Sequence, residues 1–205
     1  MRLLIAIPCA DVVRYEFAES LAKLLVHLSE EGIDFEPRFL AGSLIYSARD
    51  SLAITAINDG YTHVLWLDSD MQFTPDTFDL LRAANKPFVS AIYRSRRSPY
   101  ALCLFADTRT SQRVLKLPDD VFEIEGCGFG CTLMETQVLK DVKGKCGGQL
   151  FLPTAACSED LAFCDRYRSI GGHIYAVPDA ITNHICYVPL RCDDPQHLVD
   201  YLARR

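Results

Sequence analysis

Two carboxylates separated by a single residue, Asp68 and Asp70, follow the apolar run Val64-Leu65-Trp66-Leu67. In an extended chain residues two apart face the same side, so the pair can aim both acids at one point. Charges of like sign held that close repel unless a cation lies between them, and hard Mg²⁺ or Mn²⁺ suits such oxygen ligands. An ion bound there would in turn bridge to phosphate oxygens. The competing reading is a solvated turn, since aspartate is a common turn former. Glu159-Asp160 opens a helical stretch, where acids suit the helix dipole in any protein. A carboxylate there can also take a proton from a substrate hydroxyl within hydrogen-bond reach. Arg49 lies near a helix start; buried, it would clamp a diphosphate or a uracil-like base, and exposed it would pair with a surface acid. Arg94, Arg96 and Arg97 form a cationic cluster that faces either phosphates, an acidic acceptor or solvent.

The elements that must position these groups can be read from apolar spacing. Residues 2–7 form an apolar strand, and Phe17, Leu21, Leu24, Leu25 and Leu28 recur at helical spacing between Val12 and Glu31, with Gly32 as the stop. A strand at Phe35–Leu40 and a helix from Leu44 to Asn58 follow. His63–Leu67 has no polar residue inside it, as expected of a strand covered by helices on both faces. Thr74 is the expected cap and Pro75 the first residue of a third helix, and Phe88–Ile92 is a fourth strand. This βαβαβαβ order predicts a parallel, right-handed α/β sheet, with ligands beyond the carboxyl ends of its strands, where Asp68-Ser69-Asp70 lies. The second half predicts short strands at Leu102–Phe105, Val114–Leu117 and Phe122–Glu125. A glycine-rich stretch at 126–130, a helix over Ser158–Ile170 and a strand at His173–Val177 complete it. The glycines would let backbone approach a ligand closely, or make a tight turn.

Composition narrows the classes. The chain has 205 residues with 49% hydrophobic content, enough for one compact domain with a sizeable core. A net charge of −6 argues against nucleic acid as the partner. No stretch approaches the roughly 20 apolar residues of a membrane helix, and the N-terminal apolar run stops at Pro8 without a cleavage site, so a cytoplasmic protein is expected. The nine cysteines are scattered without a Cys-x-x-Cys pair. A zinc site from Cys127 and Cys131 competes with the reading of reduced, mostly buried thiols.

The run Ser47-Ala48-Arg49-Asp50, then a helix, then Leu65-Trp66-Leu67-Asp68-Ser69-Asp70-Met71-Gln72-Phe73-Thr74-Pro75-Asp76 resembles glycosyltransferases of the GT-A fold, close to the family-2 group. Small bacterial, phage and viral members are the nearest likeness. Ile5-Ala6-Ile7-Pro8, Val89-Ser90-Ala91-Ile92-Tyr93-Arg94, Gly126-Cys127-Gly128-Phe129-Gly130 and Ser158-Glu159-Asp160-Leu161-Ala162-Phe163-Cys164 extend the likeness from residue 3 to about residue 184. The resemblance implies a GT-A (Rossmann-like) α/β fold: a mostly parallel sheet with helices on both faces and a mixed C-terminal acceptor half. Within a single domain, 1–98 would bind a nucleotide-diphosphate sugar and 99–205 would hold the acceptor and the catalytic base. It assigns Pro8, Arg49, Asp68, Ser69, Asp70 and Arg94 to the donor, and Mn²⁺ or Mg²⁺ to Asp68, Asp70 and His184. It makes Asp160 the general base, with Glu159 as its substitute.

The implied reaction moves one sugar to a hydroxyl of a glycan, lipid or protein acceptor, by single displacement with inversion. The Gln-x-x-Arg-Trp motif of processive synthases is absent, which fits transfer of a single sugar. An inactive nucleotide-sugar-binding module is the alternative from another class. A haloacid-dehalogenase-type phosphohydrolase fits less well, because its Asp-x-Asp belongs on the first strand. Residues 185–196, with Pro189 and Pro195, carry no periodicity and are expected to act as a closing segment hinged at His184.

Overall fold

The computed structural model describes residues 1–97 and 99–186. In chain order the first half forms β1 (Arg2–Pro8), α1 (Tyr15–Glu30), β2 (Asp34–Leu40), α2 (Ile45–Asn58), β3 (His63–Leu67), β4 (Met71–Gln72), α3 (Asp76–Ala83) and β5 (Phe88–Ile92). The second half adds β6 (Leu104–Asp107), β7 (Gln112–Arg113), β8 (Phe122–Ile124), β9 (Gly126–Cys127), β10 (Cys131–Glu135) and α4 (Thr136–Cys146). It ends with α5 (Glu159–Ser169), β11 (Ile174–Ile181) and β12 (Asn183–His184).

A seven-stranded sheet in the order β2-β1-β3-β10-β5-β11-β8 forms the centre. β1 pairs in parallel with β2 and β3, and β11 with β5, whereas β10 runs antiparallel to both its neighbours and β8 opposes β11. The chain is thus a mixed α/β fold with a mostly parallel sheet. Alternation along β1 shows how both faces are covered. Leu3, Ile5 and Ile7 join Phe17, Leu21 and Leu24 of α1 and Phe78 and Leu81 of α3 in one apolar cluster. Leu4 and Ala6 join Leu52 and Ala53 of α2, Val138 and Leu139 of α4, and Phe163 of α5 in the other. The all-apolar interior of β3 splits the same way, with Leu65 and Leu67 on the first side and Val64 and Trp66 on the second.

Several expectations from spacing are corrected. β3 and β5 are not neighbours, because β10 enters between them from the second half of the chain. The segment Val114–Leu117 forms no strand; the pairing with β6 stops at Arg113, and Val114 and Leu117 pack against the core from a loop. α4 was not expected, although Val138, Leu139 and Val142 are buried at helical spacing. Thr74 does not cap α3 with its side chain: its hydroxyl lies 3.5 Å from that of Thr77, and Pro75 already has helical angles. No helix among the described residues is long and apolar enough to cross a membrane.

Candidate active site

The carboxyl ends of β1 and β3, with the start of α2, the start of α5 and the β9–β10 turn, surround a cavity of about 660 Å³. Pro8, Arg49, Asp68, Ser69, Asp70, Glu159, Asp160 and His184 all line it. Three of these directly follow one apolar strand, two come from the first turn of a helix and one from β12 of the small sheet it forms with β4. Residues far apart in sequence therefore converge for reasons of topology: parallel βα units deliver their loops to the same edge.

Arg49 is the electrostatic centre. Its side chain is only 3% exposed, its Nη2 donates to Asp68 Oδ1 at 2.9 Å, and its Nε lies 3.5 Å from Glu159 Oε1. The guanidinium rests 5.3 Å from the centre of the Phe129 ring. Burial works against its charge, but Asp68, Glu159 and Asp160 more than restore it. Nε and Nη1 nevertheless have no hydrogen-bond partner. A buried guanidinium charge on a cavity wall is suited to an anionic ligand. Burial pushes the Asp68 carboxyl up, and Arg49 pulls it back.

Asp70 stands in a different field. Its Oδ2 is 2.7 Å from Arg96 Nη1, and its Oδ1 is 3.5 Å from His184 Nε2. Burial raises its carboxyl, yet His184 and Arg96 outweigh this and hold it below the usual aspartate range. The His184 ring is oriented from behind, because its Nδ1 lies 3.0 Å from the backbone carbonyl of Arg94. A carbonyl can only accept, so that nitrogen carries a proton, and Nε2 is the ring nitrogen turned toward the Asp70 carboxylate. Imidazole nitrogen and carboxylate oxygen are both ligand atoms for a divalent cation.

Among the described residues no group of three or more His, Cys, Asp or Glu forms a ready metal cage. Mg²⁺-like ions do not need one, since they are usually held through one or two carboxylates together with substrate phosphates. Asp70 with His184 fits that pattern. Asp68, engaged by Arg49, flanks the pair rather than joining it. Cys127 and Cys131, the alternative zinc pair, are both free and buried, and burial pushes the Cys131 thiol up to about 12, which disfavours the thiolate that zinc requires.

On the opposite wall Asp160 is held by its Oδ1, which accepts from the Ser158 hydroxyl and, at 2.8 Å, from Leu161 N–H. Its Oδ2 faces Gly128. Glu159 turns toward Arg49, and burial followed by the neighbouring Asp160 raises its carboxyl. Arg94 does not line the cavity: its Nη1 donates to the Tyr100 carbonyl at 2.9 Å, and Arg96 is the member of the cluster that reaches an acid of the site. The expectation that Arg94 faces the donor with its side chain is therefore corrected; it contributes a backbone carbonyl. Of the closing segment, residues 187–196 lie outside the described residues.

Sequence reasoning gave no role to Tyr93, Cys103, Phe105 or Arg113, which also line the cavity. Tyr93 belongs to the run after the fourth strand, and only its position at the end of a parallel strand signals it. The glycines at 128 and 130 also have another reason than expected. Neither has a positive φ; a Cβ on Gly128 would stand 2.2 Å from the Tyr93 hydroxyl, and one on Gly130 would stand 2.8 Å from the same ring. They make room for a buried tyrosine.

No family model matches this sequence, and no curated protein matches it. Solved structures do. The protein A197 from STIV aligns over 95% of this chain and 100% of its own, at 18% identity and a TM-score of 0.61. S. aureus TarS (residues 1–349) aligns over 89% of this chain at 15% identity and a TM-score of 0.52. GalNAc-T7, solved with UDP, GalNAc and Mn²⁺, aligns over 92% at 10% identity and a TM-score of 0.58. This chain spans 60% of the TarS chain and 44% of the GalNAc-T7 chain. TarS and GalNAc-T7 are GT-A glycosyltransferases, and the fold described above is theirs.

Proposed function

We propose that the chain is a metal-dependent glycosyltransferase that moves one sugar from a nucleotide-diphosphate sugar to an acceptor hydroxyl with inversion. The observation that carries this is the division of one cavity into two chemistries. One side offers the charge of Arg49 and the facing pair Asp70 and His184. The other offers Asp160, with one oxygen tied down and the second turned to Gly128. A GT-A neighbour crystallised with UDP, GalNAc and Mn²⁺ supports the choice of donor class.

In this reading Asp70 and His184 hold Mn²⁺ or Mg²⁺, with Asp68 and Ser69 beside them. When bound, the ion neutralises charge that develops on the departing diphosphate. Arg49 binds a phosphate oxygen or the base, and Arg96, released from Asp70, turns to the diphosphate. Asp160 accepts the proton of the acceptor hydroxyl as its oxygen attacks the anomeric carbon, and the bond to the diphosphate breaks on the opposite face. Residues 1–98 mainly serve the donor and 99–205 mainly the acceptor, within one domain, with His184 reaching back to the ion and other residues crossing between the halves at the shared cavity. Glycan, lipid and protein hydroxyls are all acceptors of the right chemistry.

The test is release of free nucleoside diphosphate from a panel of nucleotide-sugars, with and without Mn²⁺. Metal-dependent release from one donor class is expected. Tight binding without release would instead leave an inactive binding module, and release of inorganic phosphate from simple phosphomonoesters would favour a phosphohydrolase.

A further inference from the structure

The Tyr93 ring is buried on the floor of the cavity, at 5% exposure, just past the end of β5. It is fixed from every side. Its carbonyl accepts from Cys103 N–H at 2.9 Å, and the Cys103 carbonyl accepts from Gly128 N–H at 3.0 Å. Its hydroxyl oxygen accepts from Gly130 N–H at 3.0 Å, and its ring stands edge-on to His184 with centroids 5.6 Å apart. Because the oxygen is already an acceptor, its own proton is the group left to donate.

Two measurements locate where that proton can go. A Cβ at Gly128 would lie 2.2 Å from the Tyr93 hydroxyl and 3.5 Å from Asp160 Oδ2. The two oxygens can be no further apart than those two lengths laid end to end, a gap that one oxygen bonded to both can fill. Gly128 keeps that space open by carrying no side chain.

We propose that Tyr93 binds the acceptor, its hydroxyl donating to the very oxygen whose proton Asp160 takes. This rests on the glycosyl-transfer reading. An attacking hydroxyl has one proton and two lone pairs. The proton goes to Asp160 Oδ2, one lone pair accepts from Tyr93, and the other is left aimed at the anomeric carbon. Tyr93 gives up no proton in the step; it orients the nucleophile.

The experiment compares wild type, Tyr93→Phe, Gly128→Ala and the double variant, with UDP-sugars as donors and p-nitrophenyl glycosides as acceptors. Tyr93→Phe is expected to lower kcat/KM for the acceptor about tenfold, the effect of one lost hydrogen bond in a dry site, with UDP affinity in Mn²⁺ unchanged; the Gly130 N–H it strands lowers the thermal midpoint without touching donor binding. Gly128→Ala, whose methyl invades the hydroxyl's place, should show a similar acceptor defect, and combining the two should cost little more than either alone. Wild-type acceptor kinetics in Tyr93→Phe would overturn the proposal, as would an acceptor loss matched by an equal loss in UDP affinity. A wild-type protein that transfers to no acceptor and releases no UDP would instead sink the glycosyl-transfer reading beneath it.

Discussion

The Arg49 guanidinium donates to Asp68 at 2.9 Å and stands 3.5 Å from Glu159, so one buried cation ties α2 to the turn after β3 and to the start of α5. The two segments that bring carboxylates to the cavity thus share one buried counter-charge, supplied by α2. Arg49→Ala would leave Asp68 without its partner, and breaking a buried pair from one side typically costs about 3–5 kcal/mol. Asp68 is partly exposed, so the lower end is expected, read as a shift in the denaturation midpoint. Arg49→Lys should recover part of this and still lose nucleotide affinity, because a compact ammonium lacks the planar fork that reaches Asp68, Glu159 and the cavity at once. Unaltered nucleotide binding in Arg49→Lys would remove Arg49 from the donor site.

His184 Nε2 lies 3.5 Å from Asp70 Oδ1 while its other ring nitrogen is tied to the Arg94 carbonyl, which makes the two the expected ligands of the ion. Asp70→Asn should abolish transfer that Mn²⁺ restores after chelation in wild type. His184→Ala should weaken Mn²⁺ binding, measured directly by calorimetry or electron spin resonance, by roughly tenfold or more, as for lost ligand-shell groups. Full transfer by Asp70→Asn would end the assignment.

Asp160 should separate binding from chemistry. Asp160→Asn keeps the acceptor for Leu161 N–H and removes the base, so nucleotide affinity should stay near wild type while transfer slows by roughly 10²-fold or more. Wild-type turnover in this variant would move the role to Glu159, which Arg49 now restrains.

Asp50, next to Arg49, has a structural task. Its Oδ1 accepts from Phe151 N–H at 3.0 Å, anchoring to α2 the loop that leads to Ser158, while its Oδ2 has no partner. Burial pushes its carboxyl up. A folded-state acid with a raised pKa favours the fold while protonated, and that contribution fades as pH rises through the folded value. Asp50→Asn keeps the bond without the charge, so its stability relative to wild type should improve from acid to neutral pH. Asp50→Ala strands the Phe151 N–H and should cost about 1–3 kcal/mol at any pH. Thermal melts across pH would decide both.

What could be read from the residues follows from which signals are local. Strand β3 and the acids after it are legible because an unbroken apolar run and a charged pair are contiguous in sequence. The helices α1, α2 and α5 announce themselves by buried positions on one stripe and by Gly32, Gly60 and Gly171, all with positive φ, just past their ends. α4 carries the same stripe at Val138, Leu139 and Val142, and Gly147 with positive φ closes it, but it follows β10 directly and holds Gly144, so its start is unmarked and its interior carries a breaker. The pairing of β10 with β3 and β5 is non-local, and nothing in Cys131–Glu135 states its direction. The same holds for the site. Asp68, Asp70 and Asp160 were nameable, whereas the attachment of Arg96 to Asp70 and the fit of Tyr93 against Gly128 exist only once the sheet is assembled.

The placement of β10 also governs the order in which the molecule can come together. β1, β2 and β3 can pair as soon as they are made, but β5 has no neighbour in the sheet until Cys131–Glu135 and Ile174–Ile181 have been synthesised. Until then the growing chain carries two open, apolar edges, and exposed edges of that kind recruit other chains. A fragment ending at residue 98 should therefore aggregate when expressed alone, while the full chain stays monodisperse. Supplying 99–205 in trans should rescue it only if added before the edges meet one another.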